Sequence, residues 1–478
     1  MPNSVYDVIV IGAGSGGLGV SLSMLKLGCR VLLVDKSDKK IGGECLNVGC
    51  VPSKALIHVS RMIHTARQSS DFGLEIVGKP DIEKVFKYVH ERQEIIRKHE
   101  NAAYLKAEGM DVVLGTASFV SKDEVEVNGQ KYRGKKIVIA TGSKPAKLNV
   151  PGVERVKYYD NENVFRLTAL PAKILMIGAG PINIELGQAL HRFGSEVTIV
   201  ENSGKILSHD DEAVTDVLFE RLKLEGIKFI MNARLESFSS RAMAVIKHKE
   251  GALLNVEFDA LFVGIGRELD FAELKLANAG IETKDGKIVA DARLQTTNKN
   301  VFLCGDIAGS LKFSHAAEQH TRLLVNNFFS PLKKKLNNDH MSWVTFSDPE
   351  VAAFGLSEKQ LKDRNTRYTR LENDFSDDDR AVTDDYRYAK MVLFITKGSW
   401  FARQKILGGA MAAPNAGELI EELILANAQG LSINAIFNKI YPYPVAARIN
   451  QQTIVNLKQE QLTPGLKKLL QLAFKIFS

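Results

Sequence analysis

Residues 6–36 read YDVIVIGAGSGGLGVSLSMLKLGCRVLLVDK, and residues 173–202 read KILMIGAGPINIELGQALHRFGSEVTIVEN. The two stretches align without a gap. In each, a short apolar run leads into Gly-Ala-Gly, a helical segment follows, a glycine ends it, and a second apolar run closes on an acid. Parallel strands joined by a crossover helix form doubly wound sheets. The repeat therefore predicts two doubly wound α/β domains.

The first copy carries a complete dinucleotide-binding pattern. Gly12, Gly14 and Gly17 follow G-x-G-x-x-G between a strand and a helix, and Asp35 closes the second strand, followed by Lys36. The glycines permit a tight turn and a close backbone approach, the helix N-terminus attracts a pyrophosphate, and the acid accepts hydrogen bonds from ribose hydroxyls. These residues predict a dinucleotide site.

The second copy predicts a second nucleotide site. It keeps Gly178 and Gly180 and ends on Glu201, but Asn183 replaces the third glycine. That glycine mainly lets the helix pack closely on the strand, so the phosphate argument survives its loss. An acid at position 201 with no arginine beside it would repel a 2′-phosphate, which favours NAD over NADP.

Two later segments extend the duplication. Residues 136–143 (KIVIATGS) and 260–266 (ALFVGIG) are strand-like runs that end in glycine, each downstream of its own repeat copy. They add Thr141, Gly142 and Gly266 to the candidate cofactor-binding residues. From about residue 346 strand-like runs alternate with a helical one, which predicts a separate α+β domain.

The composition excludes several classes of function. Apolar residues make up 45% of the chain and charged residues 25%, as in folded globular proteins. A net charge of +7, with acids interleaved among the bases, provides no polybasic tract for nucleic acid. No signal peptide and no membrane-spanning run is evident, so integral membrane association is not expected. Four cysteines in a long chain favour a reducing, cytoplasmic location.

A pair of cysteines lies between the first repeat copy and its late strand, the strand-like run at residues 136–143. Residues 42–56 read GGECLNVGCVPSKAL, with Cys45 and Cys50 separated by four residues and Gly43 just before them. Such a pair is either two ordinary thiols or a redox pair. A zinc site is disfavoured because typical sites need C-x-x-C pairs or nearby histidines. No metal site is predicted.

These segments together resemble a known family. The cysteine segment, residues 140–143 (ATGS), residues 304–306 (CGD) and both repeat copies are similar to the pyridine nucleotide-disulfide oxidoreductases, which include dihydrolipoamide dehydrogenase, glutathione reductase and mercuric reductase. The resemblance covers nearly the whole chain. It implies that Cys45 and Cys50 form a redox-active disulfide, with Cys50 beside the flavin and Cys45 attacking the substrate.

The resemblance also implies the cofactors and further site residues. The first copy would bind FAD tightly, one per subunit, and the second would bind NAD(H). Lys54 and Glu185 correspond to the family's ion pair near the flavin, and Asp306 to the acid that holds the FAD ribityl chain. Electrons would pass between NAD(H), FAD and the cysteine pair to a small disulfide or dithiol, as in dihydrolipoamide dehydrogenase.

The family's order of segments implies four parts of the chain. Residues 1–155 and 276–345 would form the FAD-binding domain, residues 156–275 the NAD-binding domain, and residues 346–478 a dimerisation domain that ends in a helix. The family forms homodimers in which the partner subunit completes the active site.

One departure from the family affects the predicted activity. A His-Pro-Thr-x-x-Glu motif near the C-terminus supplies the partner's acid-base group in the family, but residues 440–450 read IYPYPVAARIN. Tyr443 replaces the histidine and Arg448 the glutamate. A tyrosine with an ordinary pKa of about 10 is a poor base near neutrality. The alternative to a disulfide reductase is therefore a redox sensor, diaphorase, or quinone or metal-ion reductase without efficient disulfide turnover.

The last segment predicts an amphipathic helix that starts at Thr463 and Pro464. One stripe is apolar, and Lys467, Lys468 and Lys475 lie opposite it. We expect this helix to pack against the body of the protein or the partner subunit. A membrane surface is the alternative.

Overall fold

A computed structural model describes residues 5–309, 311–398 and 403–477. The chain forms two compact units. The first unit contains the residues up to Gly178, Ala189–Val200 and Ala233–Asn337. The second contains Ala179–Gln188, Glu201–Asn232 and the residues from Asn338 onward.

The largest sheet of the first unit has a parallel core. In spatial order its parallel strands are Asp111–Leu114, Val31–Asp35, Tyr6–Ile11, Gln130–Ile139 and Val301–Leu303. Two antiparallel strands, Glu124–Val127 and Ala117–Phe119, extend the sheet beyond Gln130–Ile139.

The strand Tyr6–Ile11 is apolar on both faces because both faces are covered. Val8 and Val10 pack into one hydrophobic cluster, and Ile9 and Ile11 pack into another. Alternate side chains of a strand point to opposite faces, so a parallel sheet buried on both sides needs an unbroken apolar run. This explains why the sequence YDVIVI shows no polar alternation.

A second parallel sheet in the first unit repeats this arrangement. Its strands, in spatial order, are Glu196–Val200, Lys173–Ile177, Ala260–Val263 and Tyr158–Tyr159. In both sheets the strand that enters the Gly-Ala-Gly turn lies between the strand that ends in the acid and the late strand. The structure thus confirms the internal repeat and the doubly wound prediction.

The remaining elements of the first unit are helices and short antiparallel strands. Helices are Ser15–Lys26, Gly43–Asn47, Cys50–Gln68, Ile82–Arg97, Ala102–Ala107 and Ser314–Phe329, and the helix Pro181–Phe193 runs from the second unit into the first. Antiparallel strands are Ala233–Ser240, Met243–His248 and Leu253–Glu257, the pair Lys144–Pro145 with Arg267–Glu268, and the pair Thr283–Lys284 with Lys287–Ile288.

The second unit is built on one antiparallel sheet, which confirms the predicted α+β domain. Its strands, in spatial order, are Ser342–Thr345, Glu350–Gly355, Ile406–Ala413, Lys390–Thr396 and Tyr368–Asp374. Its other elements are the strand Lys228–Ile230 and the helices Glu212–Glu225, Glu358–Asp363, Asp379–Thr383, Ala416–Leu419, Glu421–Ala428, Asn434–Phe437, Arg448–Glu460 and Pro464–Phe477. Among the described residues, no helix is both long and apolar enough to cross a membrane.

Candidate active site

The first Gly-Ala-Gly turn can be built only from glycine. Gly12 has φ +104°, and a Cβ atom there would lie 2.4 Å from the carbonyl oxygen of Ala140 at the end of the late strand. A Cβ at Gly17 would lie 1.8 Å from the carbonyl oxygen of Gly12. The helix Ser15–Lys26 starts directly after Gly14, so its first backbone N–H groups face the turn.

Asp35 holds this turn closed. Its Oδ2 accepts a hydrogen bond from the backbone N–H of Ala13 at 2.7 Å. The acid at the end of the second strand therefore has a structural role in addition to the predicted ribose contact. Lys36 pairs with Glu273 on the surface, and its predicted contact with the cofactor stays a prediction.

The cysteine segment packs directly on the glycine turn. Gly42 N–H donates to the carbonyl oxygen of Ala13 at 2.9 Å. A Cβ at Gly43, where φ is +60°, would lie 2.5 Å from Cα of Gly14. The predicted nucleotide turn and the predicted redox pair thus belong to one continuous site.

Cys45 and Cys50 contact each other inside this site. Cys50 is the first residue of the helix Cys50–Gln68, and Cys45 lies half-buried in the short helix before it. The hydrogen bond to Cys50, followed by burial, raises the pKa of the Cys45 thiol. The hydroxyl oxygen of Ser314 lies 3.7 Å from Sγ of Cys50. A helix N-terminus favours negative charge, so Cys50 has the better position of the two for a thiolate.

An arginine that the sequence did not reveal links the site segments. Arg267 donates from Nε to Oγ of Ser143 at 2.6 Å and pairs with Glu44 at 2.5 Å. Ser143 donates to Asp306 at 2.5 Å, and Nε of Arg267 lies 3.6 Å from the same carboxylate. Its position directly after Gly266, at the end of a late strand, was the available sequence signal.

A buried histidine supports the segment that carries Asp306. His320 accepts a hydrogen bond on Nδ1 from the backbone N–H of Gly305 at 3.1 Å. Burial lowers the pKa of this imidazole to about 4, so it stays neutral and can accept the bond. Thr141 and Gly142 lie just before the serine that bonds Asp306, and Gly142 has φ +72°.

The residues present fit an FAD molecule. The cradle left by Gly12 and Gly43, the helix N-terminus beyond Gly14 and the carboxylates of Asp35 and Asp306 supply a pyrophosphate site and two hydroxyl acceptors in one unit.

The second glycine turn has the same construction at its start. Gly178, in the first unit, has φ +94°, and a Cβ there would lie 2.6 Å from the carbonyl oxygen of Gly264. Gly266, two residues further on, has φ +114°. In the same way, Gly12 lies against Ala140, just after the strand Gln130–Ile139.

In the second unit, Glu201 repeats the role of Asp35. Its Oε2 accepts from the backbone N–H of Ala179 at 2.7 Å, and its Oε1 accepts from the backbone N–H of Ser203 at 2.8 Å. Gly180 follows Ala179 at the start of the helix, where a Cβ would meet no atom within 4 Å. These residues fit the ribose and phosphate part of NAD(H).

Lys54 and Glu185 lie in different units. Lys54 is half-buried on the helix Cys50–Gln68, one turn after Cys50, in the first unit. Glu185 is buried in the second unit, where its Oε1 accepts from the backbone N–H of Phe346 at 2.8 Å. Their ion pair stays a prediction.

The two residues predicted to replace the histidine–glutamate dyad contact each other. Tyr443 donates its hydroxyl hydrogen bond to Asp379 at 2.9 Å, and the guanidinium of Arg448 lies 5.5 Å from the tyrosine ring centre. The hydrogen bond to Asp379 raises the pKa of Tyr443. The tyrosine hydroxyl therefore keeps its proton near neutral pH and is not available to accept another.

Within the described part of the chain, no group of three or more His, Cys, Asp or Glu residues has a geometry suited to a metal ion.

Two family models match this chain. The model for pyridine nucleotide-disulphide oxidoreductases matches residues 6–321, and the model for the dimerisation domain of the same proteins matches residues 341–453. The chain belongs to the pyridine nucleotide-disulphide oxidoreductase family. Members of this family are FAD-dependent oxidoreductases that bind FAD and NAD(P), and the chain carries the family's dimerisation domain. The resemblance seen in the sequence is confirmed.

Relatives within the family differ in function. A dihydrolipoyl dehydrogenase from Geobacillus stearothermophilus is 31% identical over 456 residues, covering 93% of this chain and 94% of the relative. A mercuric reductase from Bacillus cereus is 28% identical over 445 residues, covering 92% and 70%. The Cu(II) complex of the HOCl-induced flavoprotein disulfide reductase RclA from Escherichia coli shares the fold, with a TM-score of 0.83, 24% identity and coverage of 95% and 100%.

Proposed function

We propose that this family member moves electrons from NADH to a redox-active disulfide formed by Cys45 and Cys50. The observation that carries the proposal is the contact between the two cysteines at a helix N-terminus, directly beside the first glycine turn. FAD, when bound at that turn, supplies a two-electron carrier between NADH and the disulfide. The net step consumes NADH and the disulfide, and yields NAD⁺, one thiol and one thiolate.

In the reduced state the two cysteines differ in charge and in role. Cys50 holds the negative charge because it begins a long helix and accepts the hydrogen bond of its partner. Cys45 keeps its proton because its pKa is raised. For Cys45 to attack a disulfide substrate, another group must remove that proton. We assign Cys45 to the substrate side and Cys50 to the flavin side.

A small disulfide such as lipoamide is the first candidate acceptor. Support comes from the dihydrolipoyl dehydrogenase relative, which is similar along almost its whole length. The active site would form in a homodimer through the dimerisation domain, with the partner subunit contributing its segment around residue 443.

An acceptor that needs no protein base is the second candidate, and one observation favours it. Tyr443 donates to Asp379 and has a raised pKa, so it is ill suited to take the proton from Cys45. A quinone, or a metal ion that binds thiolates, could accept electrons without such a base. The mercuric reductase relative and the copper-bound RclA point in the same direction.

A cysteine substitution tests the proposal. We expect the purified protein to be yellow with FAD, and two-electron reduction to give a long-wavelength charge-transfer band from the Cys50 thiolate to the flavin. Cys50→Ser should abolish the band, whereas Cys29→Ser, at a half-buried cysteine outside the site, should leave it unchanged. Protein that binds no FAD, or a band that persists in Cys50→Ser, would refute the proposal.

A further inference from the structure

The last helix exposes its apolar side. Thr463 caps Pro464–Phe477 by accepting a hydrogen bond from the backbone N–H of Leu466, as the sequence predicted. None of its residues is buried, and Phe474 and Phe477 are 73% and 88% exposed. Packing of this helix against the body of the protein or the partner subunit therefore stays a prediction.

The apolar arc of this helix is unusually wide. At 3.6 residues per turn its eight apolar side chains cover about 200° of the circumference, with Leu472 and Phe474 at the two edges. Besides Pro464, the rest of the circumference carries one glutamine and three lysines, Lys467, Lys468 and Lys475, and residues 464–477 contain no acid.

The width of the apolar arc and the positive charge of the lysines indicate the kind of surface that this helix can bind. A helix that packs on one side against protein needs an apolar stripe of roughly 100°. A helix lying in a bilayer interface immerses about half of its circumference and directs lysines toward anionic headgroups. We propose that the helix Pro464–Phe477 binds in the plane of an anionic membrane surface.

The size of the helix agrees with binding in the plane. Its 14 residues extend about 21 Å, too short to cross the hydrocarbon core of a bilayer. Phe474 and Phe477 would enter the boundary between headgroups and acyl chains, and the lysines would contact lipid phosphates. This inference does not depend on the electron acceptor.

Vesicle binding by the full, FAD-loaded protein tests this proposal. We expect it to sediment with vesicles of phosphatidylcholine plus phosphatidylglycerol and to bind vesicles of phosphatidylcholine alone much more weakly. Changing all three lysines to glutamine should weaken binding to the anionic vesicles about 100-fold, roughly fivefold per lysine. Phe477→Asp should weaken it about tenfold or more.

A matched control separates the helix from a general effect of charge. Phe72→Asp makes the same change at a phenylalanine that is 85% exposed in the first unit, and binding should stay nearly as strong as in the native protein. Dye reduction with NADH and the melting temperature should be unchanged in all these variants, because none of the altered side chains is buried.

Two outcomes would overturn the proposal. One is that the native protein does not sediment with anionic vesicles. The other is that Phe477→Asp converts a dimer into a monomer, because the apolar face would then be covered by a second copy of the chain.

Discussion

Single residues in this site have structural roles that their sequence patterns conceal. Asp35 and Glu201 fit the predicted ribose contacts, yet each also holds the backbone of its own glycine turn at 2.7 Å. The acid therefore fixes the turn before any nucleotide binds. Replacing either acid would alter the shape of the turn as well as nucleotide selectivity.

His320 predicts a pH dependence of stability. Its pKa is lowered to about 4 in the folded protein, against about 6.5 when exposed in the unfolded chain. The unfolded state thus gains a proton first as the pH falls. The stability that His320 contributes is complete above about pH 6.5 and is lost toward pH 4, by about 3 kcal/mol. Melting temperature measured across this range should show the loss.

The matched variants for this prediction are His320→Asn and His90→Asn. Asparagine can still accept the hydrogen bond from Gly305 but does not titrate, so the melting temperature should fall less steeply between pH 6.5 and pH 4. Replacing the exposed His90 should leave the decline of the melting temperature with pH as it is in the native protein. An equally steep decline in His320→Asn would contradict the assignment.

Sequence patterns identified the glycine turns and the cysteine pair as candidate site residues but did not identify Arg267 or His320. The turns are local features, with spacing set by one strand and one helix. Arg267 lies 124 residues from Ser143 in sequence, and His320 lies 15 residues from Gly305. These hydrogen bonds join residues of different segments of the chain, so the spacing of residues within one motif does not predict them.

At the scale of elements, the close contact between the cysteine segment and the glycine turn predicts the effect of one added methyl group. Gly43→Ala would combine a positive φ with a clash against backbone at Gly14. We expect destabilisation well above the roughly 1 kcal/mol of conformational strain alone, together with loss of FAD. Thermal unfolding and flavin content after gel filtration would measure both.

The control for the methyl group is Gly129→Ala. This glycine also has a positive φ, +79°, but no atom lies within 4 Å of an added Cβ. Gly129→Ala should be destabilised only by the backbone strain, and it should keep its flavin. If the two variants behaved alike, the contact between Gly43 and Gly14 would not be what matters.

Elements were predicted with uneven success for physical reasons. Buried parallel strands are apolar without interruption, so the two repeat copies were clear. A run of three acids such as residues 377–379 is typical of a solvated loop, yet Asp378 caps the helix Asp379–Thr383. Asp is a good cap and also a common loop residue, so the sequence alone did not distinguish the two. The four-part division of the chain stays a prediction.

At the scale of the whole molecule, the proposed function needs both electron transfer and proton transfer, and this chain is expected to differ from its family in proton transfer. Both glycine turns, the cysteine pair and the acid at 306 are present, and the electron transfer proposed for them needs no base from the C-terminal segment. The segment from 440 to 450 carries Tyr443 and Arg448 instead of the dyad. Hydride transfer from NADH should therefore be fast, and exchange with a disulfide substrate slow.

The double substitution Tyr443→His with Arg448→Glu tests this division. Restoring a base near neutrality should raise NADH-dependent lipoamide reduction by about 100-fold or more, within the range typical of general acid-base catalysis. Quinone reduction should stay the same, because it does not need the proton of Cys45 removed. Tyr443→Phe, which removes the hydroxyl without adding a base, should not raise lipoamide turnover. Vigorous lipoamide turnover by the native protein, unchanged by the double substitution, would show that another group transfers the proton and would favour an ordinary dihydrolipoamide dehydrogenase.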